Sequence, residues 1–370
     1  MEFYARVERD PFLRPLFPGK SFTCAIEEFA AFLAQFLGGP SEDSQRRWWL
    51  SLRESHLRFQ IGERERKAWL ANMAWAFDDV HVEEPLRREL LLFFEQSSAH
   101  VVNQGGAAVI DREKSEPYRR DIHAELSGRW ETQMRLDEAV AAIRAGNAAG
   151  AIRLIETSAL KSCSRSVHCG LISLMVRRAP GGLLDYVRAR LAGDPALAQE
   201  RYAGRTLLHD AAGAGNLAVV ELLVSLGADP NTQDGGGHTP LYSVGNECAV
   251  AGGGMVVFAL VRAGGAVDAH AGVKKCTPLH MAARRDNEEV ARALLDCGAN
   301  IEARDSVGDT PLRRAVNCDK IRVASLLLAR GADVRCVGSK GITPLHAARS
   351  AGMKQLLQRY AGGDKATDPG

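Results

Sequence analysis

No two of the eight cysteines in this 370-residue chain are spaced as CxxC; they stand at 24, 163, 169, 248, 276, 297, 318 and 336. That scatter argues against a disulfide framework and against a structural zinc site, and leaves most of them as small buried thiols. The tightest group, CSRSVHC at 163 to 169, adds His168 as a third donor but has no second cluster beside it. Packing therefore explains it better than a metal. Long apolar runs are missing too. Nothing reaches the length of a bilayer span, and the opening MEFYARVERDPFLRPLFPGK mixes charge into its apolar residues where a signal peptide needs an unbroken core. A cytoplasmic protein without a membrane partner is the expectation. Charge of one sign is equally scarce: the net charge is +2, with 13 basic and 16 acidic side chains in residues 1–103. Neither part has the concentrated basic face that phosphate backbones require, so no nucleic acid partner is expected. Nucleotide loops of the GxGxxG type, GxSxG elbows and HExxH helices are also missing.

What is present is the composition of a soluble globular protein, 46% hydrophobic and 25% charged, in a chain long enough for more than one domain. Its second half repeats itself. The phrases GRTLLHDAA, GHTPLYSVG, CTPLHMAAR, DTPLRRAVN and ITPLHAARS place threonines at 206, 239, 277, 310 and 343. The spacings are 33, 38, 33 and 33, and the Gly-rich AVAGGGM at 249 to 255 accounts for the long one. Each phrase leads into an apolar helix such as LAVVELLVSLGA that a glycine ends. Threonine suits the N-cap, proline the first helical position and glycine the left-handed C-terminal turn.

Motif, period and the GAD or GAN endings together resemble the ankyrin repeat over residues 204–362. The resemblance implies that His209, His280 and His346 make structural hydrogen bonds rather than catalyse. Upstream, residues 131–203 are similar to degenerate ankyrin units capping the array, as terminal repeats often are. The resemblance also implies a protein partner, met by a concave surface that would include Gln233, Asp234, His270, Lys274, Lys275, Arg304, Asp305 and Lys340. Taken singly, each of these reads equally well as a solvated loop residue.

Residues 104–130 read as a linker, polar at first and then helical, and 363–370 as a tail. Before the linker the pattern is helical and aromatic. Ala25, Phe29, Phe32 and Phe36 share a helix face with Ile26 and Leu33. Trp69, Met73, Ala76, Phe77 and Val80 form a second stripe, and Leu86, Leu90, Phe93, Phe94 and Val101 a third. Gly-Gly-Pro at 38 to 40 ends the first helix. Such a bundle either fills its own core or wraps a flat apolar cofactor, and periodicity does not separate the two.

FYARVERDPFLRPLFP (3 to 18), FLAQFLGGP (32 to 40), LRESHLRFQIGERERKAWLANM (52 to 73) and RRELLLFFEQSSAHVVN (87 to 103) stand in an order and spacing that resemble a truncated haemoglobin of the second group. The resemblance implies an all-α fold overall: a two-over-two globin sandwich over 1–103, followed by the ankyrin solenoid. It implies haem b as cofactor, with His56 as the proximal iron ligand. Tyr4 and Trp69 fall where the family places hydrogen-bond donors on the ligand side, Ala25 where other globins have a distal histidine, and Phe17, Phe29 and Phe32 against the porphyrin. A plain core role competes at each aromatic. The sequence departs from the family in starting at Glu2-Phe3-Tyr4, where relatives have a preceding helix, in RRWWLSLRESH, with Trp48 and Trp49, where Gly-His-Pro is common, and in Phe17, where a tyrosine often stands. The implied function is binding of O2 or another diatomic gas, such as NO or CO, coupled to protein contact through the repeats. One alternative is an ankyrin binding module whose globin has lost haem. Another is NO dioxygenase or peroxidase-like turnover, which needs an external reductant because the chain shows no reductase motif.

Overall fold

The computed structural model describes residues 2–17, 22–36, 56, 59–104, 120–178, 181–338 and 341–362. Gly-Gly-Pro 38 to 40, Trp48, Trp49, Lys340, the first part of the linker and the tail lie outside the described residues, as do the side chains of Phe32 and Phe36. Apart from one two-residue hairpin and one isolated bridge, every regular element among the described residues is helical. No helix among them is long and apolar enough to cross a membrane. The chain divides into two compact units, 1–163 and 164–370.

The first unit contains α1 (Glu2–Val7), α2 (Thr23–Phe36), α3 (Glu63–Asp79), α4 (Leu86–Ala99), α5 (Arg120–Arg144), α6 (Ala148–Ile155) and α7 (Ser158–Lys161). Helix α1 lies on α3, and α3 on α4. Phe3, Tyr4, Val7, Leu13, Met73, Ala76, Leu90 and Phe94 form their shared buried core. Burying such side chains stabilises by about 1.5–3 kcal/mol each, which outweighs the poor intrinsic stability of a six-residue helix like α1. Arg6 adds a two-pronged bond to Asp79 at 2.8 and 2.9 Å. Asn72, itself buried, donates to Asp10 Oδ2 at 2.7 Å and so fastens α3 to the loop after α1. Burial would raise the Asp10 carboxyl, but the N–H groups of Leu13 and Phe12 and the Asn72 amide hold it below its ordinary value.

The three apolar stripes are present with two corrections. Ala25, Ile26, Phe29 and Leu33 pack on the core as their spacing requires, as do Trp69 and Phe77 beside buried Met73 and Ala76. Val80 is 58% exposed because α3 ends at Asp79, and Leu86 is 46% exposed because it opens α4, before the helix has turned its apolar face inward. Beyond α4, the Trp130 ring on α5 stands edge-on to Phe93 and His100, and His100 Nε2 bonds Asp137 Oδ2 at 2.7 Å. Helices α5, α6 and α7 surround a second core of Val140, Ile143, Ala151, Ile155 and Leu160.

In the second unit an inner series of helices, α8 (Arg165–Arg178), α10 (Leu207–Gly213), α12 (Pro240–Glu247), α14 (Pro278–Arg285), α16 (Pro311–Asn317) and α18 (Pro344–Ala347), stacks each on the next. Their partners α9 (Gly181–Gly193), α11 (Leu217–Ser225), α13 (Gly253–Arg262), α15 (Glu288–Asp296), α17 (Ile321–Ala329) and α19 (Ala351–Ala361) form a parallel outer series. The hairpin β1 (Arg201–Tyr202) and β2 (Arg205–Thr206) precedes α10. The motif leucines Leu208, Leu241, Leu279 and Leu312 are fully or almost fully buried. Thr239 and Thr310 cap their helices by accepting the N–H groups of Tyr242 and Arg313, both at 3.3 Å. Gly227, Gly264, Gly298 and Gly331 close the outer helices at φ between 84° and 94°, where a side chain is strained.

Two of the three motif histidines, His209 and His280, are buried structural links, whereas His346 is exposed and bonds Thr343 Oγ1 in its own repeat at 2.7 Å. His280 Nδ1 accepts the Thr277 N–H at 3.2 Å while Nε2 donates to the carbonyl of Asp309 in the next repeat at 2.9 Å. His209 does the same with Thr206 and the carbonyl of His238. Burial holds both rings below the ordinary imidazole value of 6.5, so they are neutral. Where the phrase reads TPLR, Arg313 takes over, donating to the carbonyl of Ile342 at 2.5 Å. Where it reads TPLY, the Tyr242 ring stacks on His238 with centroids 4.3 Å apart. The AVAGGGM insertion is anchored by Glu289, whose carboxylate accepts the N–H groups of Gly252 and Gly254 at the start of α13, an orientation that the helix dipole favours.

Candidate functional site

An aromatic group of the first unit is built from four separate segments. Helix α1 supplies Phe3 and Tyr4, α2 supplies Ala25 and Phe29, α3 supplies Trp69, and the turn after Arg14–Leu16 supplies Phe17. Trp69 contacts Phe29 at 6.0 Å between centroids and Phe3 at 5.6 Å, in both cases edge to face. Tyr4 meets Phe29 at 6.3 Å and Phe17 at 6.0 Å, again edge to face. This arrangement aims positive ring edges at negative faces and is favoured over face-to-face stacking. Phe17 then contacts Phe59 at 5.8 Å, and Phe59 contacts the half-buried His56 ring at 6.4 Å. The expected residues Tyr4, Phe17, Phe29 and Trp69 are therefore linked ring by ring to His56, with Ala25 packed on the same core. Phe32 lies in α2 with its side chain outside the described residues.

Four contributors were not singled out in the sequence. Phe3 and Phe22 join the rings, Phe22 lying 5.5 Å from Tyr4, and Phe59 bridges Phe17 to His56. The fourth is polar. Asn103 donates through Nδ2 to the backbone carbonyls of His56 (3.2 Å) and Phe59 (2.8 Å), and accepts the Ile61 N–H at 3.0 Å. Nothing in the local sequence marks it, because its partners lie more than forty residues away.

A haem group needs a neutral imidazole donor, flat apolar walls and few but well-placed polar groups. The donor chemistry here fits: one imidazole, a wall of aromatic rings, and a phenol and an indole as hydrogen-bond donors within that wall. Among the described residues no group of three or more His, Cys, Asp or Glu is gathered for a bare metal ion. Cys163 turns its thiol to the Ala159 carbonyl, while Cys169 is fully buried and its thiol pushed up by burial, as the packing reading expects.

The surface expected on the repeats needs correction. Gln233, His270, Lys274, Lys275 and Arg304 are exposed, but Asp305 is buried and the Asp234 side chain is only 6% exposed. Both aspartates hold their own hairpin loops: Asp234 Oδ1 accepts the N–H groups of Gly236 and His238, and Asp305 Oδ1 those of Val307 and Asp309. Asp305 is further paired with Arg314, and Asp234 with His238. The loops thus spend these acids internally, while Arg304 donates to the carbonyls of Gly308 and Val337 and the Lys274 and Lys275 side chains are exposed.

Comparison with known proteins matches the two units to two families. The family described as bacterial-like globin matches residues 1–103, and ankyrin repeats match residues 191–241 and 247–337. Group 2 truncated hemoglobin YjbI of Bacillus subtilis (strain 168) is 37% identical over 102 residues, which are 28% of this chain and 76% of that protein. Human ankyrin repeat and SOCS box protein 16 is 35% identical over 110 residues, 30% of this chain, so the chain spans only 23% of that relative. Through its first 103 residues the chain belongs to the truncated haemoglobin family, and it carries that globin in one polypeptide with ankyrin repeats.

Proposed function

We propose that the globin binds haem b through His56 and takes up O2 or another diatomic gas, while the repeats hold a protein partner. The observation that carries this reading is the unbroken run of ring contacts from Trp69 through Phe29, Tyr4, Phe17 and Phe59 to His56. Haem would supply an iron with an open position for the gas. The His56 ring would donate a nitrogen lone pair to that iron, since imidazole is a strong nitrogen donor to iron. Tyr4 and Trp69 bring O–H and N–H donors into a wall of apolar rings, where a hydrogen bond to a partly negative ligand gains strength from the low dielectric. On the repeats, the outward bases Lys274 and Lys275 are polar groups offered to a partner.

An absorption spectrum tests the reading. The full chain, loaded with haem and then reduced under CO, should show a sharp Soret band that shifts with CO and disappears in His56→Ala. A spectrum indistinguishable from free haem would overturn it and leave the repeats as the working part.

A further inference from the structure

His56 is helical, and from Phe59 to Gly62 the chain carries no helix before α3 begins at Glu63. The Phe59 N–H donates to the His56 carbonyl at 3.0 Å. A ligand at such a junction points where its backbone is held. The hold comes from the far side of α4. Asn103 spans the stretch with three side-chain bonds, to the carbonyls of His56 and Phe59 and from the N–H of Ile61. The backbone N–H groups of Asn103 and Gln104 both donate to the Ile61 carbonyl, at 2.9 and 3.0 Å.

Resting on the haem reading above, we propose that Asn103 is the positioning residue for His56: its amide fixes the backbone from which the imidazole projects. The chemistry is specific to a primary amide, which alone among short side chains offers two N–H donors and a carbonyl acceptor together. Aspartate keeps the acceptor and loses both donors. Alanine loses all three bonds. The anchor is in turn fixed to α5, because His100, three residues earlier, bonds Asp137 at 2.7 Å and lies edge-on to Trp130 at 5.5 Å. The four residues from His100 to Asn103 therefore touch the His56 stretch and α5 at once.

The experiment uses the full chain with Asn103→Ala and Asn103→Asp, and Asn72→Ala as a variant that removes a different amide bond from the same unit. Three quantities are read: haem affinity by titration, the iron–histidine stretching band of the reduced protein by resonance Raman, and exchange of the Ile61 amide in haem-free protein. Both Asn103 variants should bind haem roughly tenfold to a hundredfold more weakly and shift or broaden the band, as supporting partners of ligating histidines do. Ile61 exchange should accelerate in Asn103→Ala more than in Asn103→Asp, which keeps the acceptor. Asn72→Ala should lower the melting temperature with the band in place. Should Asn103→Ala not fold, Asn103→Asp carries the comparison. Wild-type haem uptake with unchanged affinity and band in the Asn103 variants overturns this proposal alone. A wild-type chain that takes up no haem overturns the functional reading and with it the ligand task assigned to His56.

Discussion

Thr277, His280 and the Asp309 carbonyl make one link between neighbouring repeats, and Thr206, His209 and the His238 carbonyl make the same link again. Arg313 makes a version of it with a different side chain. The contacts that hold the globin are each made with their own residues: Asn72 to Asp10, Arg6 to Asp79, Asn103 to the His56 stretch, and a run of aromatic rings drawn from three helices and two loops. A repeated link tolerates substitution, because the helix stack on either side keeps the geometry while one side chain is exchanged. A contact made once offers no such reserve. Loss of one link between repeats should therefore cost less than loss of one buried core side chain in either part.

Truncation of the two cores tests this most severely. Phe94, 3% exposed, is the hub of the Trp69, Phe77 and Phe93 rings, and Phe94→Ala should cost the globin about 3–5 kcal/mol. Leu279→Ala, at a fully buried site, should cost the repeats about 2–5 kcal/mol. Denaturant unfolding followed by aromatic fluorescence and by circular dichroism should place each loss in a separate transition. A single merged transition moved equally by both variants would break the comparison.

Next in size is the repeated link itself. His280→Ala leaves the Thr277 N–H and the Asp309 carbonyl without their partner and should cost about 1–3 kcal/mol in thermal unfolding. The same rings predict a pH dependence. In the folded repeats His209 and His280 are held below 6.5 chiefly by burial, so below that pH the unfolded chain binds protons that the folded chain refuses. Stability should therefore be level above pH 7 and fall as the pH drops through 6.5 toward 5, with His280→Ala showing a shallower fall. A melting temperature constant from pH 7 to 5 would show the rings protonated in the folded state. The smallest effect is a single cap: Thr239→Ala removes one bond to the Tyr242 N–H and should cost about 1 kcal/mol.

The repeats were legible because their signals are local. Threonine, proline, leucine and glycine act within a few residues, and a 33-residue period copies the result along the chain. Even there, Asp234 and Asp305 read as surface acids, since their role in folding back on their own loops depends on burial that composition does not report. In the globin, the 3.6-residue period placed Ala25, Phe29, Trp69 and Met73 on the core and failed at Val80 and Leu86, where a helix ends or begins. The family resemblance supplied the assignment of His56, Tyr4 and Trp69, which periodicity leaves undecided between core and cofactor.

By itself the sequence determined the helical content, the two-family organisation and the capping and turning residues of every well-formed repeat, because backbone preference and hydrophobic period act over one or two turns. Tertiary structure alone decided that Phe59 completes the ring path to His56, that Arg313 stands in for a histidine, and that Asn103 holds the His56 backbone. Those bonds join residues brought together only when the helices pack, and a donor's partner is fixed by proximity in space rather than by its neighbours along the chain.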